Sequence, residues 1–550
     1  MRITSLSRVA LSAASCAAAL LACSAMTPAS AAGVSAWPTY GGDLANTRFA
    51  NLDQINASNV GALIPVWVFQ TGVVGSDEGT PLVVGDTMYV TTGKNDSIIA
   101  LDAMTGKLKW RHETPLGFTA LCCGTNNRGV AVDGGTVFYA TLDGHLVALD
   151  AANGKQLWSV RLGEPKDGFS ETQAPLVWNG KVYIGSAGGE YGIRGSLTAY
   201  SETDGKEIWR WWSVSPGWEG NYVTEVHGVS LNRDIAAEKA AAAKWSDAWQ
   251  HGGGPVWMTP ALDPATGTIY ASTGNPAPQL LGAERPGDNL YTDSIVALDA
   301  NTGAMKWAYQ QTPHDLWDYD ATSPPLLFDV TGANGAKEAA VGEAGKTGWF
   351  YILDRKSGHL LTLSQPFVPQ MNLYQMPGPN GITVEPGSLG GANWSPTSYN
   401  PDLGLAYIAA VVLPRIDKPI PYIQWKTGGQ RWAGSHEVNA PGEKSAGTFT
   451  AIDVSTGKIA WQDKTDVALI GGSMALPELT FVGEGDGNFD AMDAKTGKIL
   501  WQFQTGAGIS AAPIAYELDG REYVAVQSGG NALLGTPPGD DVIVFALPEK

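Results

Sequence analysis

An all-β protein, an eight-bladed β-propeller with one inserted helix and long loops, is predicted by three features of the 550-residue sequence. A tryptophan-bearing string recurs along the chain, its copies lie mostly 40 to 55 residues apart, and each copy reads as a β-hairpin. Repeats of that length with one aromatic each are the signature of propeller blades, because one hairpin cannot bury its apolar face alone.

The string is Ala-x-Asp-x-x-Thr-Gly-x-x-x-Trp. It reads ALDAMTGKLKW ending at Trp110, ALDAANGKQLW at Trp158, AYSETDGKEIW at Trp209 and ALDANTGAMKW at Trp307. It returns as AIDVSTGKIAW at Trp461 and AMDAKTGKILW at Trp501. A degenerate copy, ILDRKSGHLLT, ends at Thr362, and PVWVFQTG around Trp67 keeps only the tryptophan half, which makes eight. In each, an apolar β-rich run leads into an Asp-x-x-Thr-Gly reversal, and a second strand carries the Trp. Asp and Thr side chains bond the turn backbone, and Gly supplies positive φ. The tryptophans are read as wedges between neighbouring sheets.

Two intervals near 100 residues must hold material beyond a bare blade. Residues 234–249, from Asp234 through an Ala-, Glu- and Lys-rich run to Trp249, predict a surface helix. Residues 366–395, rich in Pro, Gly and Asn, predict a long loop of the kind that builds or roofs a site.

The N-terminus is an address. Arg2 and Arg8, an apolar stretch over 9–23 and Ala29-Ser30-Ala31 have the layout of a signal peptide, residues 1–31. Leu20-Leu21-Ala22-Cys23 also fits a lipoprotein box, the alternative that leaves a lipid on Cys23. Either route exports the chain to the periplasm as one domain, 32–550. The leader holds two Arg and no acid, so its loss takes the formal charge from −19 to −21. That acidity excludes nucleic acid as a partner and suits a basic protein. No later run approaches the roughly twenty apolar residues of a transmembrane segment.

Cleavage also removes Cys16 and Cys23 and leaves adjacent Cys122 and Cys123 in an oxidising compartment. Neighbouring Cα atoms lie about 3.8 Å apart, below the usual disulfide span of about 4.4–6.8 Å. A bond between them closes a small strained ring and staples no loop. The pair is expected to be oxidised, with two buried thiols as the alternative.

Oxygen-bearing side chains also interrupt the repeat. Glu190 in IGSAGGEYGIRG and Asn275 in YASTGNPAP each follow a strand, and Asp318 and Asp320 lie two apart in HDLWDYDATSPP. Carboxylate and amide oxygens without His or Cys suit a hard cation rather than zinc. Singly, each has a structural explanation as turn Asn, surface Glu or repeat Asp.

Together they are recognisable. LCCGTNNRG, GSAGGEYGIRG, GGGPVWMTPALDPATGTIYASTGNPAP and RPGDNLYTDSIVALDANTGAMKWAYQQTPHDLWDYDATSPP resemble the quinoprotein alcohol dehydrogenases. That family includes methanol and ethanol dehydrogenase large subunits, and the resemblance covers essentially the whole mature chain. It implies a quinoprotein-type propeller holding PQQ between the Cys122–Cys123 disulfide and the indole of Trp257. It implies that Glu78, Arg128, Thr172 and Lys346 contact the quinone's carboxylates and oxygens, with Gly188 and Gly189 beside it. Glu190, Asn275, Asp318 and Asp320 are the implied metal ligands, and Asp318 the implied catalytic base. The implied reaction oxidises an alcohol to an aldehyde or ketone by metal-assisted hydride transfer to PQQ. With no Cys-x-x-Cys-His haem motif in the chain, electrons pass to an external, soluble cytochrome c. Calcium-dependent relatives commonly carry a small uncharged residue at the position of Asp320 and lanthanide-dependent ones an Asp. The metal implied is therefore a lanthanide ahead of calcium.

The sequence departs from the family in three places. Ile470 stands where a Trp is often found, residues 529–535 (GGNALLG) replace a Gly-Trp-Gly-Gly-like segment, and Val411 or Val412 replaces an Asn. All three bear on the quinone's edge and the substrate cap, so the alcohol stays open, as does the oligomeric state, a homodimer included. A sugar or polyol dehydrogenase of the same fold and a non-catalytic propeller scaffold of outer-membrane assembly are the alternative readings.

Overall fold

The computed structural model describes residues 34–549 apart from 333–334, 377, 420–424, 427, 429 and 434. The expected leader and Cys23 lie outside the described residues. Among the described residues, eight antiparallel sheets of four or five strands account for most of the chain. Seven follow one another as local meanders, such as Leu82–Val84, Thr87–Thr91, Ile98–Asp102 and Leu108–His112. The remaining sheet joins the two ends of the chain, because Ile64–Gly75 pairs with the C-terminal strand Gly539–Ala546.

Apolar clusters lie between neighbouring sheets and so link them into a ring. One cluster joins Leu82 and Ile98 to Val137 and Val147 of the next sheet, and another joins Phe138 and Leu146 to Val182 and Ile184 of the sheet after. The largest closes the circle by packing Phe481 and Phe489 against Val524 and Phe545, and these against Val90 and Ile99. This is the arrangement of a β-propeller, in which closure leaves no long exposed edge.

The repeat explains itself at the seams. Asp299 Oδ1 accepts the amides of Asn301 and Thr302, both at 3.0 Å, and the Gly303 amide bonds back to Asp299 O at 2.8 Å. Trp209 of the preceding sheet lies on this turn and donates its indole N–H to Ala300 O at 3.1 Å. Trp67, Trp110, Trp158, Trp307, Trp461 and Trp501 donate likewise to a turn or strand-entry carbonyl of the next sheet, at 2.9 to 3.3 Å. The turn glycine therefore has two duties. Gly303 sits at φ +72°, and a Cβ there would lie 2.5 Å from the Trp209 ring. Gly404, at φ +66°, has open space around it. Gly404→Ala is expected to cost about 1 kcal/mol, the left-handed strain alone. Gly303→Ala is expected to cost about 1–3 kcal/mol more, because the ring has to move. Thermal unfolding of the two variants measures that difference, and equal losses would mean the tryptophan contact contributes nothing.

The inserted helix is shorter than the composition suggests. It spans Ile235–Ala241, starts where Asp234 accepts the Ala237 amide at 3.0 Å, and buries none of its residues. An alanine run with no apolar face has nothing to hold it beyond two turns; a 3₁₀ turn, Ala248–His251, follows. The 366–395 loop is largely irregular, but its strand Ile382–Val384 pairs with Arg415–Pro419, which pairs with Ser435–Asn439. This extra three-stranded sheet stands outside the ring of eight. No helix among the described residues is long and apolar enough to cross a membrane.

Strand direction alternates within each sheet. The links between its second and third strands, and the links from one sheet to the next, therefore emerge at one end of the ring. The Asp-x-x-Thr-Gly turns occupy the other end. Every residue singled out for chemistry lies in the first kind of link, which is why the functional residues fall outside the repeat.

Candidate active site

A cavity of about 160 Å³ opens at that end of the ring. It is lined by Cys122, Cys123, Arg128, Thr172, Gly188, Glu190, Trp257, Asp318, Asp320 and Lys346, ten of the thirteen residues expected from the sequence. Glu78, Gly189 and Asn275 stand directly behind it.

One wall is the Cys122–Cys123 disulfide, formed across neighbouring residues with Cα atoms 3.8 Å apart. The sulfurs and a Glu190 carboxylate oxygen lie within 4.8 Å of one another. Arg128 is fixed on several sides. Its Nη2 donates to Glu78 Oε2 at 2.5 Å and its Nη1 to Thr172 Oγ1 at 2.8 Å. Its guanidinium lies over the indoles of Trp257 and Trp394, at 5.1 and 5.5 Å. Glu78 in turn accepts from Asn531 Nδ2 at 3.0 Å, so it orients Arg128 from outside the cavity. Burial raises the Glu78 carboxyl, against which Arg128 and Asn531 act.

The other wall is built around Lys346. Its Nζ lies 3.0 Å from Asp320 Oδ1 and 3.3 Å from Asp318 Oδ2. Burial alone pushes an ammonium down, but these two carboxylates outweigh it and hold Lys346 above the ordinary lysine value. Gly390, at φ +78°, makes room for Lys346, whose Cγ would lie 2.5 Å from a Cβ there. Trp257 Nε1 donates to Asp320 Oδ2 at 3.0 Å, so Asp320 is turned inward. Asp318 itself has φ +65°, a left-handed backbone that a side-chain-bearing residue takes only under constraint.

Whether these residues suit a quinone and a cation is tested by polar atoms that the protein leaves unanswered. Among cavity-lining residues, Asn126 Oδ1, Arg128 Nε, Asn393 Oδ1, Trp394 Nε1 and Arg415 Nε are buried without a hydrogen-bond partner. Such orphans are rare in proteins; the three donors, Arg128 Nε, Trp394 Nε1 and Arg415 Nε, fit a polyanionic ligand, and the two asparagine oxygens fit a donor on it. Asn275 Oδ1 is likewise buried and unanswered, while its Nδ2 bonds Pro276 O at 3.1 Å. Glu190 forms no ion pair with a described cation; burial raises its carboxyl, the Arg431 and Lys346 charges oppose that, and Asp320 adds to it. The half-buried Glu190 carboxylate and the orphaned Asn275 amide oxygen, beside Asp318 and Asp320, form an all-oxygen donor set that fits a hard cation.

Sequence reasoning missed Asn126, Leu389, Asn393, Trp394, Arg415 and Arg431, all of which line the cavity, as does Leu533 of the divergent 529–535 segment. Trp394 was recoverable, since it lies outside the Thr-Gly-x-x-x-Trp frame just as Trp257 does. The three departures meet at one place. Ile470, Val411 and Leu534 pack with Leu389, Leu413, Trp257 and Trp394 in one apolar cluster. Of that cluster Leu389, Trp257 and Trp394 line the cavity, with Leu533 beside them, while Ile470 and Val411 pack behind.

Comparison with known proteins agrees with this geometry. The family described as PQQ: glucose/ethanol/alcohol dehydrogenase, beta-propeller domain, matches residues 37–375 and 361–524. The quinohemoprotein alcohol dehydrogenase of Comamonas testosteroni is 38% identical over 92% of this chain and 74% of its own. A lanthanide-dependent methanol dehydrogenase of Methylorubrum extorquens is 34% identical over 88% of this chain and 86% of its own. A solved europium-containing methanol dehydrogenase superposes with a TM-score of 0.83 at 31% identity, covering 93% of this chain and 98% of its own. With a matched profile along most of its length and relatives above 30% identity, the chain belongs to the PQQ-dependent glucose/ethanol/alcohol dehydrogenase family.

Proposed function

We propose that the protein is a periplasmic PQQ-dependent alcohol dehydrogenase, exported by residues 1–31, in which each of the eight sheets of the 32–550 domain is one propeller blade. The observation that carries this reading is a single cavity walled by the Cys122–Cys123 disulfide, Trp257, Arg128 and a carboxylate–lysine cluster.

Flat, polarisable faces at the disulfide and the indole suit a planar ring between them. Arg128, pre-oriented by Glu78 and Thr172, would hold a carboxylate of the quinone with little conformational freedom left to lose. Glu190, Asn275, Asp318 and Asp320 would hold the cation, a lanthanide in this reading and calcium as the alternative. When bound, the quinone supplies two-electron acceptance and the cation supplies Lewis acidity. Asp318 takes the hydroxyl proton of the alcohol, with Lys346 3.3 Å away stabilising its ionised form. The apolar cluster of Leu389, Trp257 and Trp394, backed by Ile470, would keep water from the reacting carbon. Electrons then leave to an external, soluble cytochrome c.

Metal-free, quinone-free protein is expected to develop a quinone absorbance on addition of PQQ with La³⁺ or Ca²⁺, and to reduce a dye with short-chain alcohols. A panel including ethanol, a long-chain alcohol, glucose and sorbitol separates alcohol from sugar oxidation. Quinone binding without turnover of any alcohol would refute the reading.

A further inference from the structure

We propose that Asp315 is a positioning residue whose buried carboxylate fixes the backbone that presents Asp318 to the cavity. Both of its oxygens are used within its own loop. Oδ1 accepts the Trp317 amide at 2.9 Å and Oδ2 the Tyr319 amide at 3.1 Å. The amides on either side of residue 318 are thereby turned to one anion, which is how a chain of N–H groups cradles a charge. Asp318, between them, takes φ +65° and lines the cavity, whereas Asp315 does not.

The rest of the loop is anchored so that this bridge decides the geometry. Trp317 and Tyr319 are 1% and 0% exposed. Trp317 Nε1 donates to Gln375 O at 2.9 Å, and Tyr319 Oη to Pro386 O at 2.7 Å. Asp315 O accepts from Nη2 of fully buried Arg285, whose Nη1 donates to Asn289 Oδ1 at 2.7 Å and Nε to Pro278 O at 3.1 Å. Both flanking side chains are therefore pinned at their far ends and Asp315 at its carbonyl. The carboxylate bridge ties the Leu316–Trp317 and Asp318–Tyr319 peptide groups, which bracket the Asp318 backbone, to a single side chain. A left-handed residue bearing a Cβ persists only where its surroundings over-determine it, and two charge-assisted hydrogen bonds meet that need.

Asp315→Asn keeps one acceptor oxygen but sets an amide N–H₂ against a backbone N–H. In the reconstituted enzyme, kcat is expected to fall by about 10²-fold, the scale of a misplacement near 1 Å. The alcohol KM and the bound quinone absorbance should stay within about twofold, a split that general loosening of the fold would not produce. A crystal structure of the quinone-free variant is expected to show residue 318 displaced from φ +65°. Tyr319→Phe is the control: it removes the bond to Pro386 but neither amide, and should keep kcat within about threefold. Asp315→Glu keeps the charge while moving the oxygens by one carbon, and is expected to lower kcat by about tenfold with the fold intact. If the Asn variant yields no folded protein, the Glu variant decides alone. Undiminished kcat in Asp315→Asn or Asp315→Glu, or an equal loss in Tyr319→Phe, overturns the inference. The inference rests on the alcohol dehydrogenase reading, and the two fail differently: wild type that binds quinone without turnover refutes that reading, whereas a fully active variant beside active wild type refutes this one.

Discussion

Asp318→Asn is expected to lower kcat for alcohol oxidation by about 10³–10⁴-fold while leaving the quinone bound, the upper range for loss of a general base. The amide keeps the shape of the side chain and one oxygen acceptor but cannot take a proton. Quinone binding should survive because Arg128, Thr172 and Trp257 reach the cavity from other links of the ring. Lys346 should stay in place as well, since its closer contact is Asp320 Oδ1 at 3.0 Å rather than Asp318 Oδ2 at 3.3 Å. The measurement is dye-linked turnover normalised to quinone absorbance. Turnover within tenfold of wild type would place the base elsewhere; loss of the absorbance would show that Asp318 serves binding as well as proton transfer.

Most of the fold was legible because the repeat writes each seam into the sequence. Trp, Asp, Thr and Gly recur at fixed offsets, and the structure uses all four in a single docked turn, as at Trp209, Asp299, Thr302 and Gly303. The docking hydrogen bond itself was not legible, since which carbonyl a tryptophan reaches depends on the neighbouring sheet and not on its own hairpin. The three-stranded sheet through Ile382–Val384 and Arg415–Pro419 was missed for a related reason: Arg-Ile-Asp-Lys-Pro has no strand alternation to reveal it. In the site, residues with unusual chemistry stood out, such as the adjacent cysteines and the Asp318–Asp320 pair. Asn126 and Asn393 did not. A turn asparagine and a cavity asparagine look alike in sequence, and only the unanswered buried oxygen separates them.

Asp320 is expected to set the choice of metal. Wild type reconstituted with La³⁺ should turn over at least about tenfold faster than with Ca²⁺, and Asp320→Ala should lose about 10²-fold with La³⁺ while losing far less with Ca²⁺. The structure turns Asp320 inward, with Trp257 Nε1 and Lys346 Nζ both at 3.0 Å, and a carboxylate retains further lone-pair directions beyond those two. Glu190, Asp318 and Asp320 carry three negative charges, and Lys346 returns one, leaving −2 before the quinone's own carboxylates are added. A divalent ion would balance the protein's charges alone; once the quinone's carboxylates add to them, a trivalent ion stays closer to neutrality than a divalent one. It also gains half as much again from each carboxylate at equal distance, because the attraction scales with the product of charges. Removing Asp320 reverses part of that advantage and costs the divalent ion less. The Ala variant also strips Trp257 and Lys346 of an acceptor, which could slow turnover with any metal. Asp320→Asn separates the two effects, since its amide oxygen still accepts one hydrogen bond without supplying charge. If charge decides, the Asn and Ala variants should share the same La³⁺ to Ca²⁺ activity ratio, shifted toward calcium. If the hydrogen bonds decide, Asn should restore turnover with both metals equally. Full activity of wild type with calcium, together with an unchanged ratio in both variants, would rule out a role for Asp320 in selecting the metal.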